Sequence, residues 1–132
     1  MSAEGTNTVA GVRREPAAEL LEAVISGSAE MRAAALLDAD GRQIASTDGG
    51  DWSGAGAALW GAADELGTEA RSPAAQLHVA TGVGEVFSAR CAEACVIATS
   101  ERFALASLIL SDLRALLREL ERSASSGARR EP

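Results

Sequence analysis

The order of sequence patterns between Pro16 and Arg122 constrains this chain more than any other feature. Leu20, Leu21, Val24 and Ile25 recur at helical spacing, with Glu19 and Glu22 on the other face. Pro16 suits the first turn of that helix, where its missing N–H is no loss, and Gly27-Ser28 ends it. Met31 to Asp38 is an apolar, Ala-rich run that predicts an interior strand. Asp40-Gly41 marks a tight turn, and Arg42 to Thr47 returns as a second strand. Asp48-Gly49-Gly50 breaks the sheet and Asp51 is placed to cap a second helix. Two alternating segments follow, Gln76 to Ala80 and Glu85 to Arg90. Ala94 to Thr99 is more continuously apolar, as expected for a sheet centre. The pattern closes with a long amphipathic helix predicted from about Arg102 to Arg122, whose apolar stripe contains Leu105, Leu108, Ile109, Leu113, Leu116, Leu117 and Leu120. The order α-β-β-α-β-β-β-α predicts an α+β domain in which sheet and helices cover one another.

Composition excludes several kinds of chemistry. Every one of the 12 basic residues is Arg, so there is no phosphate-loop lysine, Schiff base or pyridoxal phosphate attachment. A net charge of -7 argues against a general nucleic-acid binder. No stretch approaches the roughly 18 uninterrupted apolar residues of a membrane span, and the N-terminus lacks the apolar core of a secretory signal. The expectation is a cytoplasmic protein with no membrane insertion. Aromatic residues are 3% of the chain, so the core is built from small aliphatic side chains that bury little area each, and the domain stands to gain from oligomerisation.

No catalytic, cofactor-binding or metal-ligating set emerges. Cys91 and Cys95 with His78 fall short of a zinc site. His78, the single histidine, sits mid-strand without a nucleophile motif. Asp38-Ala39-Asp40-Gly41 has too few oxygen ligands for a calcium loop and reads as a turn. Gly82-Val83-Gly84 lacks the following helix and lysine of a phosphate cradle. Arg114, Arg118 and Arg122, one turn apart, read as a solvated helix face near a C-terminus. The expectation is no cofactor, no metal and no enzymatic activity.

Two segments carry a family resemblance. AALLDADGRQIAST (34–47) is similar to the first hairpin of the roadblock, or dynein light-chain, family. AEACVIATSERFALASLILSDLRALLREL (92–120) resembles that family's last strand, short turn and long C-terminal helix. The resemblance covers roughly residues 16–122, with 1–15 and 123–132 read as disordered tails. It implies a five-stranded antiparallel sheet with helices on both faces, and dimers joined through the second helix and the third strand. Bacterial members of the family, such as gliding-motility regulators, often act beside small Ras-like GTPases.

The residues themselves point to the same surface. Gly54, Gly56 and Gly61 each disfavour a helix interior by roughly 1 kcal/mol, and repeated glycines suggest close approach by another backbone. The expected interface comprises Gly56, Ala57, Trp60, Gly61 and Asp64 on the second helix, and Leu77, His78 and Val79 on the third strand. Trp60 has two readings, an anchor at a dimer or partner surface or packing within the chain. Trp52, Ala55, Leu59, Ala62 and Leu66 form the expected buried stripe. The functional expectation is a non-catalytic homodimeric regulator or adaptor of a small Ras-like GTPase. The alternatives are a scaffold subunit without a GTPase partner and a small-ligand sensor, the latter disfavoured by the scarcity of aromatic and polar anchors.

Overall fold

The computed structural model describes residues 8–9, 12–66 and 75–130. Thr8–Val9 (β1) and Val12–Arg13 (β2) form a short antiparallel pair ahead of α1 (Arg14–Ser26). Strands β3 (Met31–Asp38) and β4 (Gln43–Ser46) precede α2 (Ser53–Leu66). Strands β5 (Gln76–Ala80), β6 (Glu85–Arg90) and β7 (Ala94–Ser100) lead to α3 (Ala106–Arg130). The main sheet is antiparallel in the order β4-β3-β7-β6-β5. The rest of the expected N-terminal tail, the helix stop at Gly67 and the connector Arg71-Ser72-Pro73 lie outside the described residues.

Alternation along each strand divides the core in two. Ala34, Leu36, Phe87, Ala89, Val96 and Ala98 face α1 and α3. Leu37, Cys95 and Ile97 face α2, where Trp60 closes over them. Strand β7 lies at the centre of the sheet, and five of its first six residues are buried, as its unbroken apolar run requires.

The first hairpin turns by local polar chemistry. Asp38, 3% exposed, accepts hydrogen bonds from the Asp40 and Arg42 amides at 2.8 and 2.9 Å. Gly41 has φ 86°, while Asp40 stays at negative φ. With the Gly41 amide donating to the Asp38 carbonyl and the Asp38 amide donating to the Arg42 carbonyl, this is a three-residue loop with a glycine bulge; a separate register shift between Leu36 and Leu37 leaves Ile44 as an extra residue on β4.

Helix α3 departs from expectation at both ends. It begins at Ala106, because residues 101–105 form a loop in which Phe103 takes φ 60°. It runs on through Arg130, so the segment expected to be a tail is helical over 123–130. No proline interrupts the segment before Pro132. Leu105 and Leu108, expected in the buried stripe, are 59% and 53% exposed. The stripe facing the sheet is instead Ile109, Leu113, Leu116, Leu117 and Leu120.

Candidate partner interface

Helix α2 starts where Asp51 Oδ1 accepts the Ser53 amide and hydroxyl at 3.1 and 2.7 Å, the predicted cap. Its contact with the sheet is rotated from the expected phase. Gly56 and Trp60 are its buried residues, with Trp52, Leu59 and Ala63 packed beside them. Ala55, Ala62 and Leu66 are exposed, Leu66 at 89%. The cause is the Trp60 indole. It covers Leu37, Cys95 and Ile97, and its Nε1–H donates to Ser88 Oγ at 2.9 Å. Ser88 in turn donates to the Val96 carbonyl at 2.7 Å. Turning that ring to solvent would strand the Ser88 hydroxyl and uncover the apolar patch.

Gly56 accommodates a close approach, but to the chain's own sheet. A Cβ there would come within 2.5 Å of Leu37 Cδ1. The expected α2 surface is therefore divided. Gly56 and Trp60 belong to the fold, while Ala57, Gly61 and Asp64 remain exposed. The outer face is completed by Ala58 and Ala62, which the sequence reading left out of the interface. Their signal was the helical phase: once Trp60 is assigned to the core, these alanines fall on the opposite side.

Asp64 reaches across to β6 and pairs with Arg90 at 2.5 Å. The hydrogen bond from Arg90 holds the Asp64 carboxyl below its ordinary value. The Arg90 guanidinium also lies 4.0 Å above the Trp60 ring centroid. This arrangement fastens the C-terminal half of α2 over the sheet.

Among the described residues, strand β5 is an edge, hydrogen-bonded on one side to β6 alone. Its side chains divide between the two faces. Leu77, half-buried, packs in the α2 cluster, and Val79, on the same face, is 40% exposed. His78 points to the other face, away from α2. There it stacks on Phe87 at 4.3 Å with an interplanar angle of 8°, and its Nε2 meets Glu85 Oε1 at 2.5 Å. Glu85 also accepts the Ala104 amide at 3.2 Å, tying β5 and β6 to the loop before α3. The hydrogen bond from His78 lowers the Glu85 carboxyl pKa against the upward push of burial. His78 is thus committed to its own chain through its side chain, and only its backbone belongs to the open edge.

Both cysteines are free thiols, and burial pushes each pKa upward, the opposite of what a reactive thiolate requires. Among the described residues no group of His, Cys, Asp and Glu is arranged to hold a metal ion, and no helix is long and apolar enough to cross a membrane. The arrangement places a small-residue helix face beside the edge strand β5.

No family sequence model matches the chain, and no curated protein matches it by sequence. Solved structures do. A roadblock/LC7 domain from Streptomyces avermitilis superposes with a TM-score of 0.70 at 16% identity, over 80% of this chain and 95% of that one. MglB from Myxococcus xanthus gives 0.72 at 12% identity, over 85% and 97%. The gliding protein MglB of Thermus thermophilus gives 0.69 at 15% identity, over 90% and 94%. Identities this low speak to architecture alone, and on that point sheet, helices and neighbours agree: the chain has the roadblock fold.

Proposed function

We propose that this chain is a non-catalytic homodimeric regulator or adaptor of a small Ras-like GTPase. The observation that carries the dimer is the outer surface of α2 lying beside the edge strand β5, whose Leu77 packs in the α2 cluster. Ala57, Ala58, Gly61 and Ala62 make that surface small up to Glu65 and Leu66 at the end of the helix, and β5 has no strand neighbour beyond it among the described residues. An edge strand left open invites pairing, and a second copy covers it by a two-fold operation. Two sheets then continue into one, with the α2 helices side by side as a platform. One solved neighbour is itself described as MglB in a tetrameric arrangement.

The GTPase rests on the family resemblance, which includes regulators of gliding motility, and on the MglB neighbours. Regulation then works through preference, since a partner changes a GTPase only if it binds one nucleotide state more tightly than the other.

The test is a pull-down from native lysate with the tagged chain, run with GDP and with a non-hydrolysable GTP analogue. A small GTPase enriched with one nucleotide supports the proposal. Equal recovery in both states, or recovery of other proteins without a GTPase, contradicts it, the latter in favour of a scaffold.

A further inference from the structure

On the side of the sheet opposite α2, helices α1 and α3 leave a groove between them. Glu30, just after α1, accepts the Leu105 amide, just before α3, at 3.1 Å, which brings the end of α1 beside the start of α3. Leu20 and Val24 on α1 face Asp112, Leu116 and Glu119 on α3 across a cavity of about 340 Å³. Leu108 lies one turn before Asp112 on the same row of α3 and is 53% exposed. From Asp112 to Glu119 the groove is about 10 Å long at 1.5 Å per residue, enough for two turns of a partner helix.

Its charge is of one sign. Asp112 and Glu119 are both half-buried in the lining. Glu119 is paired with exposed Arg122 one turn on, and no ion pair reaches Asp112 among the described residues. Two half-buried carboxylates flanking leucines match a helix that brings both aliphatic and cationic side chains.

We propose that this groove docks an amphipathic helix of a partner protein, with aliphatic side chains laid between α1 and α3 and arginine or lysine side chains on Asp112 and Glu119. The site lies across the sheet from α2 and does not depend on the dimer or on the GTPase.

The test uses the full chain, isotope-labelled, titrated with two synthetic helices of about 15 residues. Both carry leucines at i, i+3, i+4 and i+7. One is flanked by arginines, the other by glutamates. The expected result is that the arginine helix binds roughly 10-fold or more tighter, with NMR shifts centred on Leu20, Val24 and Leu116. The double change Asp112→Arg with Glu119→Arg reverses the preference. The neutral pair Asp112→Asn with Glu119→Gln abolishes it and serves if the reversed pair does not fold. No binding, equal binding of the two helices, or shifts centred on α2 and β5 overturns the proposal. Failure here leaves the dimer untouched, because neither α2 nor β5 contributes to the groove.

Discussion

Changing Gly56 and Gly61 separately to alanine tests which side of α2 rests on the sheet. Both lie inside the helix, so both substitutions gain the same propensity term, about 1 kcal/mol. Their surroundings differ. A Cβ on Gly56 would stand 2.5 Å from Leu37 Cδ1 and 3.2 Å from Ile97 Cδ1, while one on Gly61 meets nothing within 4 Å. Leu37 and Ile97 are 2% and 1% exposed, so neither has open space to retreat into. Overpacking of this kind costs about 1–3 kcal/mol. Gly61→Ala is therefore expected to stabilise the monomer by about 1 kcal/mol, and Gly56→Ala to destabilise it by about 0–2 kcal/mol. The propensity term cancels in their difference, leaving the packing cost. Urea denaturation at several protein concentrations measures both. The Gly56 penalty arises within one chain and stays constant with concentration. Any cost of Gly61→Ala to a close helix–helix contact grows with concentration. Equal stabilisation by the two substitutions in dilute protein would refute the packing described for α2.

Three further outcomes follow from single residues. Ser88→Ala removes the acceptor of the buried Trp60 N–H and is expected to cost about 1–3 kcal/mol in chemical denaturation; no loss would mean that the indole finds another partner. Phe103→Gly replaces a left-handed residue whose side chain is 83% exposed, and is expected to be neutral or to stabilise by up to about 1 kcal/mol; a large loss of thermal stability would show that the aromatic ring is needed. The Glu85 carboxyl, lowered by its hydrogen bond with His78, contributes stability that is fully present above the unfolded value of about 4.3 and is lost as pH falls through the folded value. Asp64 and Glu101, each lowered by a hydrogen bond from arginine, share that sign. Melting temperature should fall in acid, and Glu85→Gln should flatten the fall; an unchanged acid profile would assign the loss to other carboxylates.

What the sequence made legible is set by side-chain contrast. The unbroken run Ala94 to Thr99 marked the sheet centre because both faces of β7 are covered, leaving little room for polar residues. Asp40-Gly41 marked the hairpin because Gly41 alone had to enter the left-handed region. Helix α2 was misphased because its alanines fit either environment and its buried contact is made partly by Gly56, which has no side chain to signal burial. Trp60 carried the missing information, but only its bond to Ser88, a long-range contact, decides its direction. The start of α3 was misplaced because Leu105 and Leu108 continue an apolar pattern, while the Phe103 turn shifts the helix onset and leaves them outside the core. The side of β5 on which His78 lies follows from strand register. The charged partner on that side, Glu85, came into view only when the strands were paired.

Hydrogen exchange of the β5 amides as a function of protein concentration tests the proposed assembly most directly. Gln76 to Ala80 form the sheet edge, and among the described residues their outward amides have no strand partner. The account predicts that protection of these amides, together with slowed exchange along α2, rises with concentration while the central strand β7 stays protected throughout. Rapid exchange along β5 at every concentration, in a sample whose mass remains that of one 13.5 kDa chain, would contradict it.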